Sequence, residues 1–199
     1  VFGPAIGITC AILILLYVQE ELTFDKHNDK YKSIYRLESD FNISGKATRA
    51  ALVPMPMTPT LKDEYPEIKE ITRFAGFGIT DILFTYKDLK FFEDKIYFTD
   101  STVFKVFNYD FILGSPANAL NEPNTIVITE SFASRYFGKQ NPMGEVLTTS
   151  NFGNCRVTGV IKDVPANSHL RFDCLLSMAT IVELTGVDRF NSRSAPAFC

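Results

Sequence analysis

The sequence predicts an α+β protein led by one membrane-spanning helix. Three features carry that prediction. Residues 1–19 hold no charged side chain and are apolar on every helical face. The remainder alternates β-branched or aromatic runs with short helical stretches. Those runs do not recur as strand–helix–strand units, and no internal repeat or low-complexity tract is present, which favours α+β over α/β.

Composition bounds the function classes. The chain has 199 residues, a formal net charge of −3 and a sequence pI near 5.5. No Lys/Arg block occurs, which argues against a nucleic-acid partner, because phosphate binding needs a concentrated basic surface. Hydrophobic residues make up 46% and charged residues 22%, enough to bury a core. Trp is absent and Phe numbers 18. The phenylalanines are spread over the expected strands and helices, which suits packing better than base stacking.

The opening run, Ile6 to Val18, lacks the polar stripe of a soluble amphipathic helix. Residues 1–19 reach roughly 28 Å as a helix, about the hydrocarbon thickness of a bilayer. Tyr17 then falls where an interfacial aromatic belongs. A signal peptide is the second reading, but the run has no basic leader and no small-x-small site before Glu20. A buried core helix is the third. The run starts at Val1, so the chain reads as cut from a longer protein, and no flanking charge fixes its orientation.

After residues 1–19, residues 20–33 lack Gly and Pro and are expected to continue as a helical stalk. A folded domain is expected over 34–190, and an irregular tail over 191–199. Within the domain, 34–41 alternates Tyr35, Leu37 and Phe41 with Arg36, Glu38 and Asp40, the pattern of a half-buried strand. Residues 42–45 read as a turn. Thr58 is the expected N-cap of a helix with Pro59 in its first position and Pro66 beyond its end near Tyr65.

Strands are expected at 68–74, 82–86 and 91–98. Asp100 should cap a helical turn carrying Val103, Phe104 and Phe107. Residues 109–113 read as extended, closed by Gly114-Ser115-Pro116. Residues 125–129 are a strongly β-branched strand. It runs into a helix over 130–137 with Thr129 as N-cap, Glu130 in the first turn and Gly138 past the end. Asn141-Pro142-Met143-Gly144 turns the chain. Residues 145–149 and 155–161 should pair as a hairpin, and 171–176 form a last strand.

Reactive constellations are not legible. Two histidines exclude a multi-His metal site and leave little room for a His-based triad. His27 lies in a polar run and reads as solvated. His169 reads as the donor of a turn-stabilising hydrogen bond, and Ser168 lacks the G-x-S-x-G elbow. No P-loop or G-x-G-x-x-G motif is present: Gly138-Lys139 continues with Gln140, and Gly76-Phe77-Gly78 with Ile79. Asp63-Glu64 and Glu93-Asp94 are sequence neighbours whose side chains should point apart, each pair lying on a solvated face. No catalytic, cofactor-binding or metal-binding residue is therefore expected. The four cysteines form no C-x-x-C pair. Cys155 and Cys174 read either as small core hydrophobes or as partners in a disulfide that an extracytoplasmic compartment would permit.

Five stretches in order resemble the MacB-like periplasmic core domain of FtsX-type ABC-transporter permeases, most like those of Bacteroidetes. The first is Gly3-Pro4-Ala5-Ile6-Gly7-Ile8-Thr9-Cys10 leading to Leu16-Tyr17-Val18-Gln19-Glu20-Glu21-Leu22-Thr23-Phe24-Asp25. The second is Ile34-Tyr35-Arg36-Leu37. The third runs from Phe111-Ile112-Leu113-Gly114-Ser115-Pro116 through Ala119-Leu120 and Pro123 to Thr125-Ile126-Val127-Ile128-Thr129-Glu130-Ser131. The fourth is Tyr136-Phe137-Gly138 with Asn141-Pro142-Met143-Gly144. The fifth is Val157-Thr158-Gly159-Val160-Ile161-Lys162-Asp163-Val164-Pro165 with Asn167-Ser168-His169. Together they cover about residues 3–178.

The resemblance implies a porter-like α+β domain with a β-rich insertion near residues 145–161. It implies a truncated permease without enzymatic activity of its own, sited in the inner membrane with its domain in the periplasm. Implied partners are an ABC ATPase subunit, membrane lipid, a second permease in a homodimer or heterodimer, and periplasmic or outer-membrane proteins. The implied work is mechanotransmission, ATP-driven motion carried outward along residues 5–21 into the domain. Two rivals stand beside it. One is an extracytoplasmic sensor domain of a signalling protein. The other is an anchored hydrolase, disfavoured by the missing His, Ser and metal patterns.

Overall fold

The computed structural model describes residues 2–43, 46–76, 80–185 and 196–197. Helix α1 (Phe2–Leu22) is continuous over 21 residues. Every side chain from 3 to 19 is exposed, Leu15 to 66% and Tyr17 to 65%. Among the described residues no helix is long and apolar enough to cross a membrane.

The helical stalk expected as far as Lys32 does not form. Residues 23–30 are turns, followed by a 3-10 turn at Tyr31–Ser33. Asp25 adopts φ 55°, which a right-handed helix cannot accommodate. The strand expected over 34–41 starts only at Ser39. Tyr35 is 84% exposed, so the alternation there serves no buried face. Strands β1 (Ser39–Ile43) and β2 (Lys46–Ala50) form a separate antiparallel hairpin, Ser39 opposite Ala50. Asn42 and Ile43 thus belong to a strand, and Ser44 and Gly45 of the expected turn lie outside the described residues.

Strand β3 (Val53–Pro54) pairs with β13 (Pro196–Ala197), inside the expected tail, whose other residues lie outside the described ones. Helix α2 (Met57–Glu64) starts two residues before its expected Pro59, with Pro56 at its N-cap. Thr58 is instead inside the helix and buried.

Among the described residues the main sheet has nine strands. Its order is β4 (Phe74–Ala75), β7 (Ile96–Thr99), β12 (Cys174–Ser177), β9 (Thr125–Thr129), β11 (Gly153–Ile161), β10 (Val146–Thr149), β5 (Ile82–Tyr86), β6 (Leu89–Glu93), with β8 (Phe111–Gly114) also on β11. β9 lies parallel to β11 and antiparallel to β12. All five of its residues are buried, as the uninterrupted run of β-branched residues requires. Three expectations change here. The run 91–98 is two strands broken at Asp94-Lys95, 68–74 contributes only β4, and 171–176 begins as a strand at Cys174. The expected hairpin over 145–161 does form as β10 and β11. It belongs to the middle of the main sheet, however, and is not a separate β-rich insertion.

One connection dictates the shape of the sheet. β6 and β7 stand six positions apart in the strand order yet are joined by Asp94 and Lys95 alone. In a flat sheet that separation would be roughly 29 Å, whereas the link from Glu93 to Ile96 reaches at most about 11 Å. The sheet must therefore curl until its ends approach. Inside the curl sits one core, with Phe84, Ile96, Phe98, Ile126, Ile128, Leu147 and Leu176 around Phe132, Tyr136 and Phe137 of helix α4 (Glu130–Phe137). A second core on the outer face covers β7, β12, β9 and β11 with Val103, Ala119, Leu120 and Phe172.

α4 begins as expected, the hydroxyl of Thr129 accepting from the Phe132 amide at 3.3 Å. Gly138 closes it at φ 59°. Helix α3 (Val103–Val106) is one short turn. Asp100 does not cap it with its side chain. The carboxylate instead accepts from Arg73 Nη2 at 2.6 Å and Nε at 2.9 Å. Helix α5 (Met178–Thr185) follows β12 directly.

Cys155 and Cys174 are free and buried. β9 stands between their strands, and Cys174 pairs with Ile128 near its end while Cys155 lies level with its start, so they are more than two strand spacings (about 9.5 Å) apart and beyond disulfide reach. Burial pushes the Cys155 thiol up to about 11, and that of Cys174 well above its ordinary value. Both are inert core groups.

Candidate functional site

Where α1 ends, the chain docks on the domain through a compact polar joint. The left-handed turn at Asp25 aims its backbone and carboxylate at the loop that follows β11. The Asp25 amide donates to the Asn167 carbonyl at 3.0 Å. The Asn167 side chain donates back to the Thr23 carbonyl at 3.1 Å. Asp25 Oδ1 accepts from the Ser168 hydroxyl and the His169 amide, each at 3.1 Å. Asp25 Oδ2 meets His169 Nδ1 at 2.6 Å, and Phe24 packs on the imidazole with ring centroids 4.8 Å apart. A single carboxylate thus gathers three donors from one loop.

A second anchor lies a turn further on. Asn28 is 3% exposed, and its Oδ1 accepts from the Asn108 amide at 3.1 Å. Asp29 accepts from the Asn108 side chain at 2.6 Å. Lys30 donates to the Lys105 carbonyl at 2.7 Å. The end of α1 is therefore tied to two loops, one after β11 and one between α3 and β8.

Partial burial raises the Asp25 pKa, but the hydrogen bonds from His169 and Ser168 and the imidazole charge outweigh it. The net value lies below the ordinary 3.8. Tyr109 is shifted upward by burial first and by the Asp25 charge second.

The hydrogen bond of the His169 ring is not the local, turn-stabilising one expected: its partner, Asp25, is 144 residues away. Ser168 spends its hydroxyl on Asp25 and is not aligned with the imidazole as a nucleophile would be. His27 is half-buried, with Nδ1 shielded from solvent, and not solvated as expected. Glu93 is also not on a solvated face. It is 6% exposed, accepting from Arg135 at 2.9 Å and from the Tyr136 hydroxyl at 3.0 Å, while Asp94 points outward.

Two open clefts, of about 320 and 390 Å³, lie elsewhere on the domain. Their charged residues are already paired: Arg73 to Asp100 at 2.6 Å, Lys62 to Glu70 at 3.0 Å, and Arg156 to Glu122 at 2.7 Å. Among the described residues no group of three or more His, Cys, Asp or Glu could hold a metal ion.

Sequence reasoning missed the joint as a unit. Its signal was present, since the first stretch of the family resemblance ends at Asp25 and the fifth ends at Asn167-Ser168-His169. A separation of 144 residues hid their contact.

Fold and joint define a class: an α+β domain with a curled mixed sheet, tied by hydrogen bonds to an exposed apolar helix. The chain matches the family model of the MacB-like periplasmic core domain over residues 1–194 and belongs to that family. It is similar in structure to a domain of a protein designated a permease from Porphyromonas gingivalis, with TM-score 0.62 and 20% identity over 77% of this chain. The chain covers 64% of that domain. It is also similar to the extracellular domain of the noncanonic ABC-type transporter YknZ from Gram-positive bacteria. There the TM-score is 0.54 at 16% identity, over 83% of this chain and 80% of that one. The periplasmic region of MacB from Actinobacillus actinomycetemcomitans matches with TM-score 0.45 and 16% identity, covering 63% and 57%. At these identities the likeness to the first two speaks to fold alone. No curated protein matches.

Proposed function

We propose that this chain is part of an ABC-type permease, with α1 embedded in the inner membrane and the α+β domain in the periplasm. It passes ATP-driven motion from a partner ATPase to an extracytoplasmic substrate or protein. The observation that carries the reading is α1 itself. Its residues 3–19 are exposed on all sides, which in water would leave Ile6, Ile8, Leu13, Ile14 and Leu15 uncovered. Lipid is the medium that suits a helix apolar all round. The joint at Asp25 supports the mechanical part. Motion along α1 reaches the loops at 105–110 and 165–169 through hydrogen bonds, without an intervening flexible linker. The chemistry of this role needs no catalytic residue in the chain, the nucleotide being hydrolysed by the partner.

Expression of the chain in bacterial cells, followed by alkaline carbonate washing, tests the membrane placement. The chain is expected in the pelleted membranes, with Cys10 shielded from a membrane-impermeant maleimide until detergent is added. Recovery in the soluble fraction, with Cys10 freely labelled, would sink the reading.

A further inference from the structure

The joint leaves no stalk between α1 and the domain. Residues 1–19 are uncharged, and Glu20 and Glu21 close that run. Carboxylates are costly in hydrocarbon, so with α1 in lipid these two mark the level of the headgroups. α1 ends at Leu22, and the Asp25 amide is already bonded to the Asn167 carbonyl at 3.0 Å. From Gln19 to Asp25 the chain rises at most about 15 Å. The Phe24 amide donates back to the Glu21 carbonyl, which shortens that rise. A headgroup layer is about 5–8 Å deep on each side of the hydrocarbon. The segment leaving the joint is therefore held at the membrane surface, within reach of a long side chain.

That segment carries exposed side chains with no task inside the domain. Tyr35 is 84% exposed and Tyr31 39%, and the Lys32 ammonium lies 5.7 Å from the Tyr31 ring centroid. Lys26 and Lys32 are exposed and pair with no carboxylate among the described residues. Arg36 meets Glu38 at 3.3 Å, an exposed pair of little strength. The acids of the same stretch are spent: Asp25 on the loop at 167–169, and Asp29 on the Asn108 side chain. Residues 26–36 hold four cations and one acid, in a chain whose net charge is −3.

We infer that residues 26–36 form a lipid-contacting surface that holds the domain against the bilayer by binding anionic phospholipid headgroups. This rests on α1 lying in lipid, and it names what the domain then touches. Lys26 and Lys32 meet the phosphodiester groups. Tyr31 and Tyr35 place their rings among the headgroups with the hydroxyls in water, as interfacial aromatics do. Continuity with α1 selects lipid as the occupant, and the local excess of cations selects its charge. The alternation of Tyr35 and Leu37 with Arg36, which serves no buried face, then serves the membrane.

The test uses the full chain in lipid nanodiscs, with Cys10→Ser and Cys199→Ser so that one introduced cysteine carries a fluorophore. Ser33→Cys puts it beside Lys32 and removes neither tyrosine nor lysine. Asn151→Cys is the control, because the turn before β11 and the loop after it are separated by the length of that strand, about 26 Å. The quencher is phosphatidylcholine with a nitroxide on its headgroup. Quenching at Ser33→Cys should rise at least twofold when phosphatidylglycerol replaces about a third of the phosphatidylcholine, and fall again at high salt. Lys26→Gln and Lys32→Gln should each shift the contact equilibrium about fivefold toward the unquenched state. Tyr35→Ser should weaken quenching in either lipid, and Asn151→Cys should stay unquenched throughout. Quenching at Ser33→Cys no greater than at Asn151→Cys would overturn the inference. So would quenching that is equal in phosphatidylcholine alone and indifferent to both lysines. The placement of α1 is read separately, in chain that keeps Cys10. Cys10 shielded while Ser33→Cys stays unquenched removes the surface and leaves α1 in lipid, whereas Cys10 freely labelled removes both.

Discussion

Gly114 shows how one residue holds two strands together. It sits at φ 86° opposite Gly159, where β8 meets β11. A Cβ on Gly114 would lie 2.6 Å from the Thr158 carbonyl oxygen, and one on Gly159 would lie 2.7 Å from the Phe111 ring. Neither site has room, and Gly114 also has a backbone conformation that L side chains resist. Gly114→Ala should therefore destabilise the domain by about 2–3 kcal/mol, read as a lowered denaturant midpoint with unchanged slope. Asp25 is the second such residue. Its folded pKa lies below 3.8, so its contribution is fully present above that value and is lost as pH falls through the lower folded value. Hydrogen exchange at the His169 amide should accelerate in that acid window. Asp25→Ala should produce the same acceleration at neutral pH, and an amide indifferent to both changes would contradict the joint.

At the scale of elements, the curl depends on what fastens its two ends. Arg135 on α4 reaches Glu93 at the end of β6 at 2.9 Å and Asp173 just before β12 at 3.7 Å. Burial raises the Glu93 pKa above its ordinary 4.5, more than Arg135 and the Tyr136 hydroxyl lower it. Arg135→Met would leave that carboxylate buried with one donor. A loss of about 2 kcal/mol is expected, below the value for fully buried pairs because Arg135 is 41% exposed. A raised carboxylate contributes stability at low pH that disappears as pH climbs through its folded value. The Arg135→Met defect should accordingly shrink on acidification, and Glu93→Gln in the same chain should recover most of it. Equal losses at every pH would show that Arg135 acts through packing alone.

The elements that were legible in the sequence are those whose signals are local. β5, β9 and α4 fall on their expected residues because alternation, β-branching and the Thr129 cap act within a few positions. The break between β6 and β7 was not legible. Asp94-Lys95 carries no Gly or Pro, and closure of the sheet, a property of nine strands, places the break. β2 was missed because its side chains are almost all exposed and leave no periodic trace. The joint was hidden for a related reason: Asp25 lies in a polar run that reads as solvent-facing until the loop at 167–169 is brought against it.

For the molecule as a whole, the question is whether the end of α1 and the domain move as one body. Asp25 ties α1 to the loop after β11, and Asn28 ties it to the loop before β8. Since β8 and β11 are themselves paired, the two anchors converge on one region of the sheet. Removing one should leave the other to hold the register, whereas removing both should free the helix. Asn28→Ala exposes the Asn108 amide to a buried setting without its acceptor, at a cost of about 1–3 kcal/mol. In a complete transporter the double variant Asp25→Ala, Asn28→Ala should keep nucleotide hydrolysis while transport falls several-fold. Each single variant should lose less than half of that effect, because the anchors act on paired strands and are not independent. Hydrolysis and transport falling together would mean that the variants damage assembly with the ATPase. Transport unchanged in the double variant would count against the proposed transmission through this joint.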